Sequence, residues 1–383
     1  MIPFNKPYAT GKELSYIADA IESGKLSGNG KYTNLCQTFF ERRFGFSKTL
    51  LTTSCTDALE MSAILAEIQV GDEVIMPSYT FVSTANAFVL RGATIRFVDS
   101  RTDHPGIDES QLEQLITSKT KAIVVVHYAG VACDMDAIML LAHSHGLFVI
   151  EDAAQAIDSY YCGKDGQSRP LGSIGHLGAF SFHETKNIIS GEGGMLVIND
   201  PTFLKRSEII WEKGTDRASF FRGEVDKYGW VDIGSSFLPS ELTAAFLYAQ
   251  LENLDKIQER RKEIWDTYFQ AISKFCEVYD LRLPTIPSFA SNNAHMFYLI
   301  CRDGRQRDKI LGAMKKNGIL AVFHYLSLHS SQYFSLFHDG RELPNSDFYS
   351  ECLIRLPFYY ELTHEHQLKI VKLLEQALME LDD

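Results

Sequence analysis

The chain lacks the pairs and clusters that mark several large functional classes. Its seven cysteines, at positions 36, 55, 133, 162, 276, 301 and 352, are scattered and form no C-x-x-C. An odd, unpatterned set argues against a disulfide framework and for a reducing compartment, so the expected location is the cytoplasm. No run of 18 apolar residues is present, and no transmembrane helix is expected. The opening MIPFNKPYATGKELSY carries charges and prolines but no apolar signal-peptide core. No P-loop, H-E-x-x-H or G-x-S-x-G occurs. Gly28-Asn29-Gly30 lacks the third glycine and the βαβ setting of a dinucleotide turn. Basic residues are outnumbered, 37 against 49 acidic, for a net charge of −12. That balance disfavours generic nucleic-acid or anionic-membrane binding. Two H-x-H pairs, at 143–145 and 364–366, fall in helical patterns, where i and i+2 do not share a face. No metal site is expected.

What is present is an ordinary globular composition of some length. Of 383 residues, 45% are hydrophobic and 22% charged, enough for a large core without disulfides or metal. From residue 48 onward, short β-rich runs alternate with helical periods. The runs are 49–54, 73–77, 93–99, 122–127, 147–152, 179–183 and 194–199. The helical periods lie at 56–68, 83–91, 108–117 and 134–145. This is the βαβ rhythm of a buried, mostly parallel sheet. Residues 240–273 read as one long helical region, and prolines in 283–288 break the pattern. Beyond them lie runs at 295–300 and 319–329 and helices at 307–317 and 364–381. The expected architecture is α/β, with a large domain over 1–250 and a smaller α+β domain over 251–383.

Ligands of open α/β sheets bind at the carboxyl ends of strands. Here those ends hold Ser54-Cys55-Thr56, then Phe81, then Glu151-Asp152, then the segment from His183 to Lys186. Taken singly, each has a plain reading: a helix N-cap, a solvated acid, a surface lysine. Taken together, they supply an anion cup, an aromatic face, a carboxylate and a lysine on successive strand ends. Those four parts make a pyridoxal-phosphate (PLP) site, with the lysine as the Schiff-base nucleophile. Gln155, three residues after Asp152, is placed to share the pocket.

The segments SCTDALEMSA (54–63), GDEVIMPSYTFVSTANAFVLRGATIRFVD (71–99), EDAAQAIDSYY (151–161) and GSIGHLGAFSFHETKNIISGEGGMLVIND (172–200) resemble the DegT/DnrJ/EryC1/StrS sugar aminotransferases. The resemblance runs over nearly the whole chain. It implies a fold-type I PLP aminotransferase, with a mostly parallel mixed sheet and a smaller C-terminal domain. By the same resemblance, Lys186 binds the cofactor covalently and moves the proton, and Asp152 holds the ring nitrogen protonated. Phe81 stacks on the ring, and Gln155 lies on its hydroxyl side. Ser54, Cys55, Thr56 and Ser181 seat the phosphate. Cys55 stands where the family usually has glycine. Ser236 takes the place of an asparagine that reaches a partner subunit's phosphate in many members, and no arginine follows it. Tyr325 and His329 would meet the sugar nucleotide. The implied partners are L-glutamate, a nucleotide-linked 4-keto-6-deoxy sugar and a second copy of the chain, with no nucleic acid and no membrane. A different product on the same cofactor, the 4-amino gluco epimer or a 3-amino sugar, is the alternative. A dehydratase of the same fold would carry histidine in place of Lys186. A DNA-binding regulator would need a basic helix-turn-helix, which the 48 or so residues before the first strand do not provide.

Overall fold

The apolar runs between residues 48 and 199 become the strands of one seven-stranded sheet. The computed structural model describes residues 1–382. In chain order its strands are β1 (Lys48–Thr52), β2 (Glu73–Pro77), β3 (Thr94–Val98), β4 (Thr120–Val126), β5 (Phe148–Asp152), β6 (Tyr160–Cys162), β7 (Ser168–Pro170), β8 (Leu177–Ser181), β9 (Gly194–Ile198), β10 (Tyr298–Ile300), β11 (Val322–Phe323) and β12 (Leu353–Arg355). The large sheet has the order β1-β9-β8-β5-β4-β2-β3. Strands β3, β2, β4, β5 and β8 pair in parallel, and β9 runs antiparallel to both of its neighbours, β8 and β1. Helices cover both faces, so the central strands are buried throughout: Ile123, Val124 and Val125 of β4 are all inaccessible to solvent.

A second apolar cluster lies around the three-stranded sheet β10-β12-β11. Ile264 and Tyr268 of the helix Leu254–Ile272, Leu299 of β10, Ile354 of β12 and Leu374 of the last helix meet there. The start of the chain joins this cluster. The Ile2 N–H donates to the Gly318 carbonyl at 2.8 Å, and the Phe358 N–H donates to the Phe4 carbonyl at 3.0 Å.

Several elements differ from the sequence expectation, each for a local reason. The region 240–273 is two helices, Glu241–Leu251 and Leu254–Ile272, because the chain leaves helical geometry at Asn253. The stretch 108–117 holds two single 3₁₀ turns. The Asp108 carboxylate accepts from the Ser110 N–H at 3.2 Å, a local bond that competes with an α-helix. The loop 162–172 is half hairpin, with β6 and β7 paired antiparallel. The run 319–329 keeps only the two residues of β11 as strand.

Helices Glu13–Glu22 and Lys31–Phe44 precede the first strand. The second has no side-chain cap of its own at Gly30. Its cap comes from far along the chain. Glu241, only 1% exposed, accepts from the N–H groups of Gly30 at 2.9 Å, Tyr32 at 2.7 Å and Thr33 at 3.2 Å, and from the Thr33 hydroxyl. A Cβ on Gly30 would stand 2.6 Å from the Glu241 Cδ, so this glycine makes room for the carboxylate. The Gly28-Asn29-Gly30 turn is thus a helix start held by a buried acid.

Candidate active site

The site grows from the way each strand ends. β1 leads directly into the helix Cys55–Leu65, with Ser54 as an extended N-cap whose hydroxyl accepts from the Asp57 N–H at 3.1 Å. The first turn of a helix leaves N–H groups without intrahelical partners, a ready seat for an anion. Gly194, where β9 begins, lies under this turn. A Cβ there would come within 2.3 Å of the Ser54 carbonyl and 2.4 Å of the Cys55 nitrogen. The Thr56 hydroxyl donates to Ser83 Oγ at 2.8 Å.

β5 ends on two acids that face opposite ways, as strand alternation requires. Glu151 is fully buried in the scaffold. It accepts from the N–H groups of Gly172, Ile174 and Gly175 at 2.6–2.7 Å and pairs with His127 Nε2 at 2.9 Å. Asp152 faces a cavity. Its Oδ2 accepts from the Thr84 hydroxyl at 2.7 Å and its Oδ1 from the Ala154 N–H at 3.2 Å. The single Thr84 proton goes to the carboxylate, so Thr80, 2.9 Å away, is the donor to Thr84. Burial pushes the Asp152 carboxyl above its ordinary range, against the pull of these two donors and of the charges on Lys186 and His127.

Lys186 follows β8 and is half-buried against the same cavity. Burial pushes its ammonium down to about 8, and the charge of Arg355 acts in the same direction. Gln155 is held at both ends. Its Oε1 accepts from the Ala129 N–H at 2.6 Å, and its Nε2 donates to the Tyr325 hydroxyl at 3.2 Å. Phe81 opens the helix Val82–Val89, is 53% exposed, and has its ring centre 5.8 Å from that of Tyr325.

The cavity has a volume of about 490 Å³, within the usual range for small-molecule sites. It brings together Ser54, Cys55, Thr56, Phe81, Asp152, Gln155, Ser181, Lys186 and Tyr325. Two sequence candidates lie elsewhere. His329 does not line the cavity; it is 8% exposed, with Nδ1 2.8 Å from Ser78 Oγ and Nε2 3.5 Å from Asp347. Ser236 sits on the surface, bridged to Glu212, just before Phe237, whose carbonyl accepts from the Thr53 N–H at 3.0 Å. Other lining residues, Thr84, His295, His324 and Arg355 among them, were not candidates from the sequence. Thr80 and Thr84 stand at the four-residue spacing of a helix face. Arg355 is a lone charge inside the apolar run 353–358, a visible signal that was not used.

The model of the DegT/DnrJ/EryC1/StrS aminotransferase family matches residues 7–375. The chain belongs to this family. Solved structures agree along the full length. The aminotransferase TlmJ from Streptoalloteichus hindustanus is 27% identical, with 100% of each chain covered and a TM-score of 0.90. Spr1654 from Streptococcus pneumoniae, solved in its PMP form, is 25% identical over 100% of each chain, with a TM-score of 0.90. The aminotransferase from Psychrobacter cryohalolentis is 25% identical over 98% of this chain and 99% of its own, with a TM-score of 0.91.

The protein is therefore a sugar aminotransferase of the PLP-dependent, α/β class. The cavity fits the cofactor on its own geometry. It offers a helix start for a phosphate and a buried carboxylate that has no cationic ion-pair partner among the described residues. It also offers a lysine ammonium with no hydrogen bond to protein there. No helix among the described residues is long and apolar enough to cross a membrane.

Proposed function

We propose that this aminotransferase moves an amino group from L-glutamate to the 4-keto group of dTDP-4-keto-6-deoxy-D-glucose. The product would be dTDP-4-amino-4,6-dideoxy-D-galactose, made in the cytoplasm for a surface polysaccharide such as enterobacterial common antigen or an O-antigen. The observation that carries the aminotransferase chemistry is the meeting of Lys186 and Asp152 in one cavity. The choice of sugar is supported by FFRG-V-DKY (220–228), DIGSS (232–236), NAHMFY (293–298) and VFHY-LH (322–329), which resemble the transaminase that makes this product.

The bound cofactor supplies an electron sink for the carbanion formed at the carbon that gains or loses nitrogen. The rest is work for this chain. With an ammonium near 8, about a quarter of Lys186 is neutral at pH 7.5, against about one part in a thousand for an ordinary lysine. That fraction can attack an aldehyde, and a free Lys186 amine can then carry a proton between carbon atoms. Asp152, ionised and held by Thr84 and Ala154, would keep a ring nitrogen protonated. The turn at Ser54-Cys55-Thr56, with Ser181, would hold the phosphate. Gln155 would fix the ring edge and Phe81 cover one face.

The same reading includes a homodimer. Phe221, Tyr228, Trp230 and Val231 are each more than half exposed, the kind of apolar side chains a partner covers, and they lead into the Gly234–Ser236 segment. The deciding experiment supplies dTDP-4-keto-6-deoxyglucose and glutamate, then assigns the position and configuration of the new amine by NMR. A galacto 4-amine is expected. A gluco 4-amine or a 3-amine would keep the class and overturn the sugar.

A further inference from the structure

β5 ends on Glu151 and Asp152, two neighbouring acids that are both buried, at 0% and 6% exposure. Adjacent carboxylates in a dry place disfavour each other's charge. The cofactor contact proposed for Asp152 needs that residue ionised, so the charge on Glu151 must be met in another way. Its Oε1 accepts from the N–H groups of Ile174 at 2.7 Å and Gly175 at 2.6 Å. Its Oε2 accepts from the Gly172 N–H at 2.7 Å and from His127 Nε2 at 2.9 Å. Four donors fill the four acceptor positions of a carboxylate and leave no place for a proton. Glu151 is therefore an anion.

His127 follows β4 and is wholly buried. Burial opposes a charge on its ring, but the bonds to Cys133 and Glu151 outweigh burial and lift the imidazole to about 10. The Cys133 N–H lies 3.4 Å from Nδ1, too long a contact to keep that nitrogen unprotonated. The His127 backbone N–H donates to the Asp152 carbonyl at 3.1 Å, which fixes the two residues side by side on adjacent strands.

Burial lifts the Asp152 carboxyl, and Thr84, Ala154 and the charges of Lys186 and His127 act against it. Of those two cations, Lys186 gives up its charge whenever it attacks an aldehyde or takes a proton. His127 lies outside the cavity lining, touches no reacting atom and keeps its charge. We propose that His127 is a positioning residue, held as an imidazolium by Glu151, whose charge keeps Asp152 ionised throughout the reaction. This rests on the reading of Asp152 as the partner of the cofactor's ring nitrogen. The other titratable groups that face these three residues are Cys133, Lys186, Cys55 and Tyr325. Burial pushes the Cys55 thiol and the Tyr325 phenol up, so both are neutral near pH 7 and neither replaces His127.

The first test needs no variant. In the full-length PLP-loaded enzyme with isotope-labelled histidine, nitrogen NMR at pH 8.5 should show one of the twelve histidines with both ring nitrogens protonated. That signature should be lost only as pH rises through about 10. Twelve neutral rings would overturn the inference. The second test compares His127→Gln with wild type in PLP affinity, by equilibrium dialysis from pH 5 to pH 8. Glutamine keeps a donor for Glu151 and removes the charge, whereas changing Glu151 would also free the loop that leads into β8. The ionisations of PLP are common to both proteins, so the ratio of dissociation constants reports on Asp152. Without the imidazolium, the Asp152 carboxyl rises and loses its charge at a pH where wild type keeps it. The ratio should be about threefold at pH 8 and grow about tenfold by pH 5, the effect of a one-unit rise in a carboxyl. A ratio that stays flat would mark His127 as structural and overturn the inference. If His127→Gln does not fold, the histidine spectrum of wild type decides alone. A wrong reading of Asp152 would show differently: Asp152→Asn would hold PLP as tightly as wild type while the doubly protonated histidine persisted.

Discussion

The Thr84 hydroxyl donates to Asp152 Oδ2 at 2.7 Å, from a helix that starts one residue after Phe81. This bond ties the carboxylate at the end of β5 to the residues that follow β2, two strands away in the sheet. It also fixes the direction of the hydroxyl chain from Thr80 through Thr84 to the acid.

Removing either end of that bond should be felt in cofactor retention. Asp152→Asn should bind PLP more weakly and lose transamination on the order of 1000-fold, because a neutral amide cannot hold a cationic ring. Thr84→Val should cost less, about tenfold in PLP affinity, the scale of one hydrogen bond to a charged group. Equilibrium dialysis with PLP measures both. Full activity in Asp152→Asn would remove that residue from the proposed site.

Lys186 gives a pH signature. Only the neutral amine attacks an aldehyde, so PLP capture by the apoprotein should speed up as pH rises and level off above about 8. Stopped-flow absorbance after mixing apoprotein with PLP reads the midpoint. A midpoint near the ordinary lysine value of 10.5 would show that burial does not tune this residue.

The same shift has a stability cost. The folded-state value lies below the unfolded one, so burying the ammonium destabilises the apoprotein fully below about pH 8, and the penalty fades as pH rises towards 10.5. Lys186→Met should therefore stabilise the apoprotein at pH 7 by roughly 1–3 kcal/mol, discounted for the open cavity. Urea unfolding at pH 7 and pH 10 should show the gain shrinking at the higher pH.

Gly194→Ala tests the phosphate seat from below. The added methyl would meet Ser54 and Cys55 backbone at 2.3–2.4 Å, so the turn must move. A fall in PLP affinity of at least tenfold is expected, alongside a loss of about 1–3 kcal/mol in folding stability. Unchanged affinity would mean that the phosphate sits elsewhere.

Assembly is read at the exposed aromatic surface. Trp230 is 85% exposed and Phe221 70%. A double substitution, Phe221→Asp with Trp230→Asp, should convert a dimer into monomers by light scattering and lower activity with it. A wild-type protein that is monomeric and active at assay concentration would refute the proposed dimer.

The large sheet was readable because its strands are short, β-branched and buried on both faces, and its helices are periodic. That Asp152 and Lys186 would meet in one cavity was readable for a related reason: each follows a strand, where a single Asp or Lys interrupts an apolar pattern. What escaped depended on distant packing. Thr84 matters only because the first turn of helix Val82–Val89 brings its hydroxyl to Asp152 at the end of β5. Arg355 matters because β12, three residues long and followed soon by Pro357, faces the cavity from another part of the chain. Helix Lys31–Phe44 carries buried Tyr32, Cys36, Phe40 and Phe44 at four-residue intervals, and its packing partner, the helix Glu241–Leu251, lies about 200 residues along the chain. His329 shows the reverse case: a chemically capable residue close in sequence to Tyr325 lies outside the cavity lining and bonds Ser78.

The carboxylate of Glu241 caps a helix start 211 residues earlier, at Gly30. During synthesis that helix start must wait. At about 5–20 residues per second, its partner leaves the ribosome about 10–40 seconds later. Until then Gly30, Tyr32 and Thr33 present free N–H groups, and the apolar face of Lys31–Phe44 lacks the helix Glu241–Leu251 that packs on it. The βαβ units between them emerge in the interval and can pair without either end. The order of birth thus places the central strands of the active site first, and closure of the N-terminal arm becomes a late, length-dependent event in the life of the nascent chain.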